Sequence, residues 1–160
     1  RTETEGMVAL IPVLGKETTT CSIMSYGFNP NISSWSPYHG AMYSIIESVS
    51  KIVAMGGDYH TIRFSFQEFF EKLLNNPIKW GKPYAALLGA YRVQEELKLP
   101  SIGGKDSMSG TFEDINVPPT LVSFAITSGD VNNVVSAHRY EVYSPDADLL
   151  SLIVNGTVSS

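Results

Sequence analysis

Cysteine is nearly absent. A single one, Cys21, stands in 160 residues, so no internal disulfide can form. Histidine is almost as scarce, and His39, His60 and His138 are too dispersed to compose a metal-ligand cluster. Charged residues make up 17% of the chain, and Asp plus Glu (16) outnumber Lys plus Arg (11), for a net charge of -5. That balance excludes a generic polyanion-binding surface, so nucleic acid is not an expected partner, although a local basic site for a nucleotide remains open. No apolar run is long enough to cross a membrane, so no membrane partner is expected. There is no internal repeat, low-complexity tract or signal-peptide pattern. The 43% of hydrophobic residues are nevertheless enough to bury a core, and 160 residues correspond to one domain. The near absence of cysteine points to a reducing, cytoplasmic setting. The start at Arg1 rather than Met leads us to expect a piece of a longer chain.

Along the chain, the apolar run at 7–14 predicts a strand, with Pro12 at an edge or irregular end. A β-branched run at 18–26 predicts a second strand, and 29–37 carries turn chemistry. Ser36-Pro37 then supplies an N-cap and a first-turn proline. Ala41, Met42, Ile45, Ile46, Val49, Ile52 and Val53 recur at helical spacing up to Gly56-Gly57. Residues 60–66 read as a strand. Phe66, Phe69, Phe70, Leu73 and Leu74 predict a helix over 66–75 closed by Pro77, and 84–97 predicts a second long helix with Leu87, Leu88 and Tyr91 inward. Residues 101–110 read as a glycine-bounded polar loop, and 120–127 as the strongest strand. Runs at 134–143 and 149–154 read either as strands or as a linker and the start of another domain. Strands interleaved with amphipathic helices indicate an α+β fold: a mixed or antiparallel sheet with two main helices on one face. Alternating rather than continuously apolar strands argue against a doubly wound parallel sheet. The expected organisation is a leading strand or linker at 1–17, a domain at 18–130, and a linker with the possible start of a further domain at 131–160.

The segment 103–110 is chemically the most unusual. Gly103 and Gly104 let the backbone come close to a ligand, and Lys105, Ser107, Ser109 and the exposed amides crowd donors together, as an anion requires. Asp106 adds an oxygen suited to Mg²⁺. The spacing is not that of the nucleotide-binding P-loop, and a plain polar connection is the bland alternative. Glu47 and Lys51, four apart with the acid first, form either a solvated helical ion pair or part of a nucleotide site, since Ser44 and Ser48 beside them leave room for a ligand. His39 reads as a packing or capping residue, Cys21 as a small buried apolar one, and Trp35 and Trp80 as core or interface.

The segments Ser-Tyr-Gly-Phe-Asn-Pro at 25–30, Ser-Pro-Tyr-His-Gly-Ala at 36–41, Ala-Met-Gly-Gly-Asp at 54–58 and Pro-Ser-Ile-Gly-Gly-Lys-Asp-Ser-Met-Ser-Gly-Thr-Phe at 100–112 resemble the phosphoribosylformylglycinamidine synthase family. The resemblance runs from about residue 18 to 130. It is that of the N-terminal-type domain of an aminoimidazole-ribonucleotide-synthetase-like unit, in the second half of the long single-chain form. It implies ATP and Mg²⁺ as cofactors and a part in the glutamine-dependent amidation of formylglycinamide ribonucleotide, a step of purine biosynthesis. The implied partners are the remaining domains of the same polypeptide, including a glutaminase domain, and a second N-type domain or another copy of this one. The fragment alone is expected to be inactive. Gly103, Gly104, Lys105, Asp106, Ser107 and Ser109 match the family's glycine loop. Glu47 matches an acidic position that in some long members helps bind Mg²⁺ at an auxiliary nucleotide. Lys51 departs from the Asn often found there, and its ammonium is expected to replace a metal ion, pairing with Glu47 and contacting a phosphate. Selenophosphate synthetase, thiamine-phosphate kinase and a non-catalytic scaffold half-domain are the alternatives.

Overall fold

The computed structural model describes residues 5–135. β1 (Gly6–Leu10) and β2 (Thr20–Gly27) are followed by α1 (Pro30–Trp35) and α2 (Pro37–Ala54); a 3-10 turn at Tyr59–Thr61 then leads into β3 (Arg63–Phe69). α3 (Pro77–Leu97), β4 (Ser101–Ser107), a small hairpin of β5 (Thr111–Phe112) and β6 (Ile115–Asn116), and β7 (Thr120–Asp130) complete the order. The main sheet runs β1-β2-β7-β3-β4, antiparallel throughout except for the parallel pair β3 and β4. This is the expected α+β arrangement, with α2 and α3 on one side.

Alternation fixes which face is covered. Cys21 and Ile23 of β2, Leu121 and Ala125 of β7, and Phe64 and Phe66 of β3 are buried beneath the helices with Ala41, Ile45 and Ile52 of α2. Cys21 is therefore a core residue, as expected. Serines allow α2 to lie unusually close to the sheet: Ser25 Oγ donates to Ser48 O at 2.6 Å, and Ser48 Oγ meets Ser123 Oγ at 2.9 Å. Gly27 is needed at this approach, because a Cβ there would stand 2.1 Å from Ser44 O. α2 begins as predicted, with Pro37 in its first turn and the Ser36 side chain accepting from His39 N. His39 Nδ1 also lies 2.9 Å from Ser36 Oγ, so the histidine belongs to the helix start.

Several expectations are corrected. The first strand ends at Leu10, ahead of Pro12, and 29–37 is not only turn, since the Asn29 side chain caps the short helix α1. No helix occupies 66–75. β3 continues to Phe69, pairing with β7 on one side and β4 on the other, and Pro77 opens α3 rather than closing a helix. Asn76 caps that start by accepting from Ile78 N and Lys79 N. The phenylalanine spacing suited either period, and two-sided strand pairing decided it.

Within α3, Ala86, Gly89, Ala90 and Val93 point inward, whereas Leu87, Leu88 and Tyr91 are 43–62% exposed. Small residues win the inner face because the helices approach closely: a Cβ on Gly89 would lie 2.1 Å from Tyr38 O. Trp35 and Trp80 are both exposed and lie outside the core. The chain leaves the sheet through a 3-10 turn at Val131–Asn133, and Val135 N donates to Met55 O at 3.0 Å. The expected strands at 134–143 and 149–154 lie outside the described residues, apart from 134 and 135. Among the described residues no helix is long and apolar enough to cross a membrane.

Candidate functional site at the edge strand

The expected polar loop at 101–110 is a strand for most of its length. β4 pairs with β3 in parallel: Ser65 faces Gly103, Phe66 faces Gly104, Gln67 faces Lys105, Glu68 faces Asp106 and Phe69 faces Ser107. Ile102 is bulged out between Ser101 and Gly103, where the register shifts. As the last strand of the sheet, β4 turns one set of backbone groups outward with no strand neighbour, and Ser101 through Asp106 are all exposed. Gly104 answers a steric demand, since a Cβ there would come within 2.6 Å of Phe66 O. Gly103 meets nothing within 4 Å, so its bareness keeps an open space beside the strand. At the end of β4, Ser107 Oγ meets Ser109 Oγ at 2.9 Å, and Gly110 N donates to Phe70 O at 2.9 Å, which folds the segment back toward the end of β3.

A cavity of about 280 Å³ opens along this edge. The diglycine, Lys105 and Asp106 form one side, and Phe66, Leu87 and Met108 supply apolar walls. Its remaining lining residue is Glu68. Glu68 is 8% exposed as a residue, and its carboxyl has no hydrogen bond or ion pair among the described residues but keeps some solvent contact. Burial, reinforced by the neighbouring Asp106 carboxylate, pushes its carboxyl up to about 7. Glu68 was not singled out from the sequence, because 66–75 read as a helix. The alternation of Phe64, Phe66 and Glu68 was the signal that placed it on the same face as Asp106.

Glu47 and Lys51 lie elsewhere. Lys51 Nζ is 2.8 Å from Glu47 Oε1 and 2.9 Å from Glu5 Oε2, and it donates to Tyr26 O at 3.1 Å. It also stands 4.5 Å from the centroid of the Tyr26 ring. Partial burial alone would lower its pKa, but the hydrogen bonds to Glu47 and Glu5 outweigh that and hold the ammonium above its usual value. The other Glu47 oxygen accepts from Phe28 N at 3.0 Å. Three N–H groups thus meet three oxygens, and Glu47 is engaged at both of its own. The arrangement suits an internal lock joining the start of the chain, β2 and α2. It does not fit a Mg²⁺ ion on Glu47, and it leaves Lys51 no donor for a phosphate. Since β2 and β4 are three strand spacings apart, roughly 14 Å, these residues do not join the glycine cavity.

A larger cavity, about 490 Å³, lies where the start of α2 meets the end of α3, with Tyr38, Leu88 and Tyr91 in its wall. Its charged residues are already paired, Arg92 with Glu96 at 2.6 Å and Lys98 with Glu95 at 3.8 Å. Of the two cavities, the smaller combines, among the described residues, close-approach backbone, a lysine in no ion pair and a carboxyl in no ion pair or hydrogen bond, and we take it as the candidate site.

No protein-family model and no curated protein sequence matches the chain. Solved structures do. Thermotoga maritima PurL in complex with ATP superposes with a TM-score of 0.69 at 17% identity, over 82% of this chain and 21% of that one. The same protein complexed with ADP gives 0.70 over the same shares. Aquifex aeolicus thiamine monophosphate kinase (ThiL) with AMPPCP and TMP gives 0.54 at 15% identity, over 82% of this chain and 37% of that one. The chain therefore spans about a fifth of the length of the PurL structures it matches. At these identities the likeness is one of fold: a mixed five-stranded sheet under two main helices, common to PurL, to ThiL and to this chain.

Proposed function

We propose that this chain is the N-type domain of a phosphoribosylformylglycinamidine synthase and that its glycine cavity receives the phosphates of ATP. The observation that carries the reading is the accessibility of β4. The strand with Gly-Gly-Lys-Asp is exposed, has backbone groups free on its outer side, and opens on a cavity rather than being packed under other side chains. The fold likeness to proteins solved with ATP, ADP and AMPPCP supports it.

In the complete enzyme the formamide oxygen of formylglycinamide ribonucleotide attacks the γ-phosphorus of ATP, with ADP as leaving group. Ammonia released from glutamine then adds to the activated carbon and expels phosphate, yielding the amidine. A divalent cation bound with the nucleotide supplies charge neutralisation at the transferring phosphoryl group. The chain's own residues have binding and orienting work to do. Main-chain amides on β4 and the Lys105 ammonium face the phosphates, and the Ser107 and Ser109 hydroxyls complete the donor set. The glutaminase and C-type domains lie outside the residues at hand, so the chain alone binds without turning over. The sheet face opposite the helices, with Tyr26, Phe124 and Ile126 half exposed, pairs with a second N-type domain or a second copy.

Binding of a non-hydrolysable ATP analogue to the chain tests this reading. Lys105→Ala is expected to weaken it about tenfold, the loss of one charge-assisted contact, while Lys51→Ala leaves it unchanged. Equal affinity in wild type and Lys105→Ala, or no binding at all, overturns it. A non-catalytic scaffold is the second reading, favoured by Lys51 filling the place beside Glu47. Analogue binding lost through Lys105→Ala would exclude it.

A further inference from the structure

We propose that Lys79 and Lys82, held side by side by the buried Glu71, form a second anion site that takes the terminal group of a phosphate monoester. The proposal goes beyond the nucleotide reading and does not depend on it. Glu71 stands two residues past the end of β3, and its side chain is 7% exposed. Its Oε2 is 2.7 Å from Lys79 Nζ, and its Oε1 accepts from Lys82 Nζ. One ammonium neutralises one carboxylate, so the second lysine is a surplus charge. Lys72, exposed and next to Glu71 in the chain, adds another. Three lysines against one glutamate leave two positive charges here, in a chain whose net charge is -5. The β5-β6 hairpin adjoins this corner through Lys72 N, which donates to Thr111 Oγ1 at 2.9 Å. Its two acids, Glu113 and Asp114, make no ion pair with these lysines among the described residues.

Donor counting separates this pair from Lys51. All three N–H groups of Lys51 are taken by Glu47, Glu5 and Tyr26 O. Lys79 uses two, on Glu71 and on Lys72 O at 3.4 Å, and Lys82 uses one. Three N–H groups therefore remain, on side chains 28% and 38% exposed. A phosphate monoester offers three terminal oxygens and a charge of about -2 at neutral pH, which matches both the free donors and the surplus charge. The helix end itself is not the donor, because the Asn76 side chain already accepts from Ile78 N and Lys79 N. The site is also separate from the glycine cavity. Leu87 lines that cavity, and Lys82 stands five residues earlier on α3, roughly 8 Å away along the helix. Neither cavity includes Lys72, Lys79 or Lys82 in its wall, so the phosphate group is gripped and the rest of the ligand stays in solvent.

Ribose 5-phosphate is the probe, titrated into the chain by calorimetry with ribose and inorganic phosphate alongside. Ribose 5-phosphate is expected to bind, inorganic phosphate to displace it, and ribose to do neither. Lys79→Gln and Lys82→Gln should each weaken binding about tenfold, the loss of one charge-assisted contact. Lys72→Gln leaves both Glu71 pairs in place, so it cannot act through folding of this corner, and it should weaken binding about threefold. Lys105→Ala, or a saturating non-hydrolysable ATP analogue, should leave ribose 5-phosphate binding unchanged. Wild-type affinity retained in all three glutamine variants overturns the site, as does a wild-type chain that binds neither phosphate. Binding lost through Lys105→Ala, or displaced by the analogue, would put the phosphate in the glycine cavity. That result overturns the second site and leaves the nucleotide reading standing.

Discussion

Two glutamates three residues apart respond to burial in opposite ways. Glu71, 6% exposed, is 2.7 Å from Lys79 Nζ and also bonded to Lys82. Those two ammonium groups hold its carboxyl below the usual carboxylate range, against the opposing effect of burial. Its stabilisation is thus fully present above about pH 4.5 and is lost as pH falls through the lowered folded value. Glu71→Gln is expected to cost about 1–2 kcal/mol at pH 7, since both lysines keep some solvent contact. The variant and wild type should converge in strong acid, which urea unfolding at several pH values measures. Glu68 carries the reverse sign. Its carboxyl is favoured protonated in the folded chain, so stability falls as pH rises from about 4.5 to about 7. Glu68→Gln should therefore match wild type at pH 4 and exceed it at pH 8 by on the order of 2 kcal/mol. A pH-independent difference would contradict the assignment. Neither role was legible from composition: both follow from partners brought in by β4 and α3, which lie 8 to 38 positions away along the chain.

At the scale of elements, the parts legible in the sequence were those with local punctuation. Ser36-Pro37 and Gly56 bracket α2, and the alternation from Thr120 onward marks β7. The illegible parts had two compatible periods. Phe66, Phe69, Phe70 and Leu73 fit a helix, yet β7 and β4 offer Phe66 and Glu68 strand partners on both sides. The polarity of 101–107 resembled a loop because an outer strand with two glycines has no apolar face to display. In α3 the error came from size. Bulky residues were read as inward, but close contact with α2 reserves the inner face for Ala86, Gly89 and Ala90. Gly89→Ala therefore tests the packing argument. Its Cβ would lie 2.1 Å from a backbone oxygen that cannot rotate away, so a loss of about 2–3 kcal/mol is expected. Gly103→Ala, whose Cβ meets nothing within 4 Å, should leave stability within about 0.5 kcal/mol.

For the molecule as a whole, the two faces of the sheet are unequal. One face lies under α2. On the other, antiparallel register lines up Met7, Met24 and Ile126 in one row, with Tyr26 and Phe124 in the next. Of these, Met7, Tyr26, Phe124 and Ile126 are 38–54% exposed. A contiguous apolar surface across three neighbouring strands is uncommon on a monomer, whereas scattered apolar residues are ordinary. The residues are β-branched, aromatic or methionine, fitted to a flat pleated contact, and the few charges nearby, such as Arg63 beside Ile126, sit toward its margin. We therefore expect self-association of the chain, visible by sedimentation as a weight-average mass that rises with concentration. Phe124→Asp should shift it to monomer without lowering helix content, because the side chain points away from the core that Leu121 and Ala125 build. A wild-type chain that stays monomeric at all concentrations would overturn this expectation.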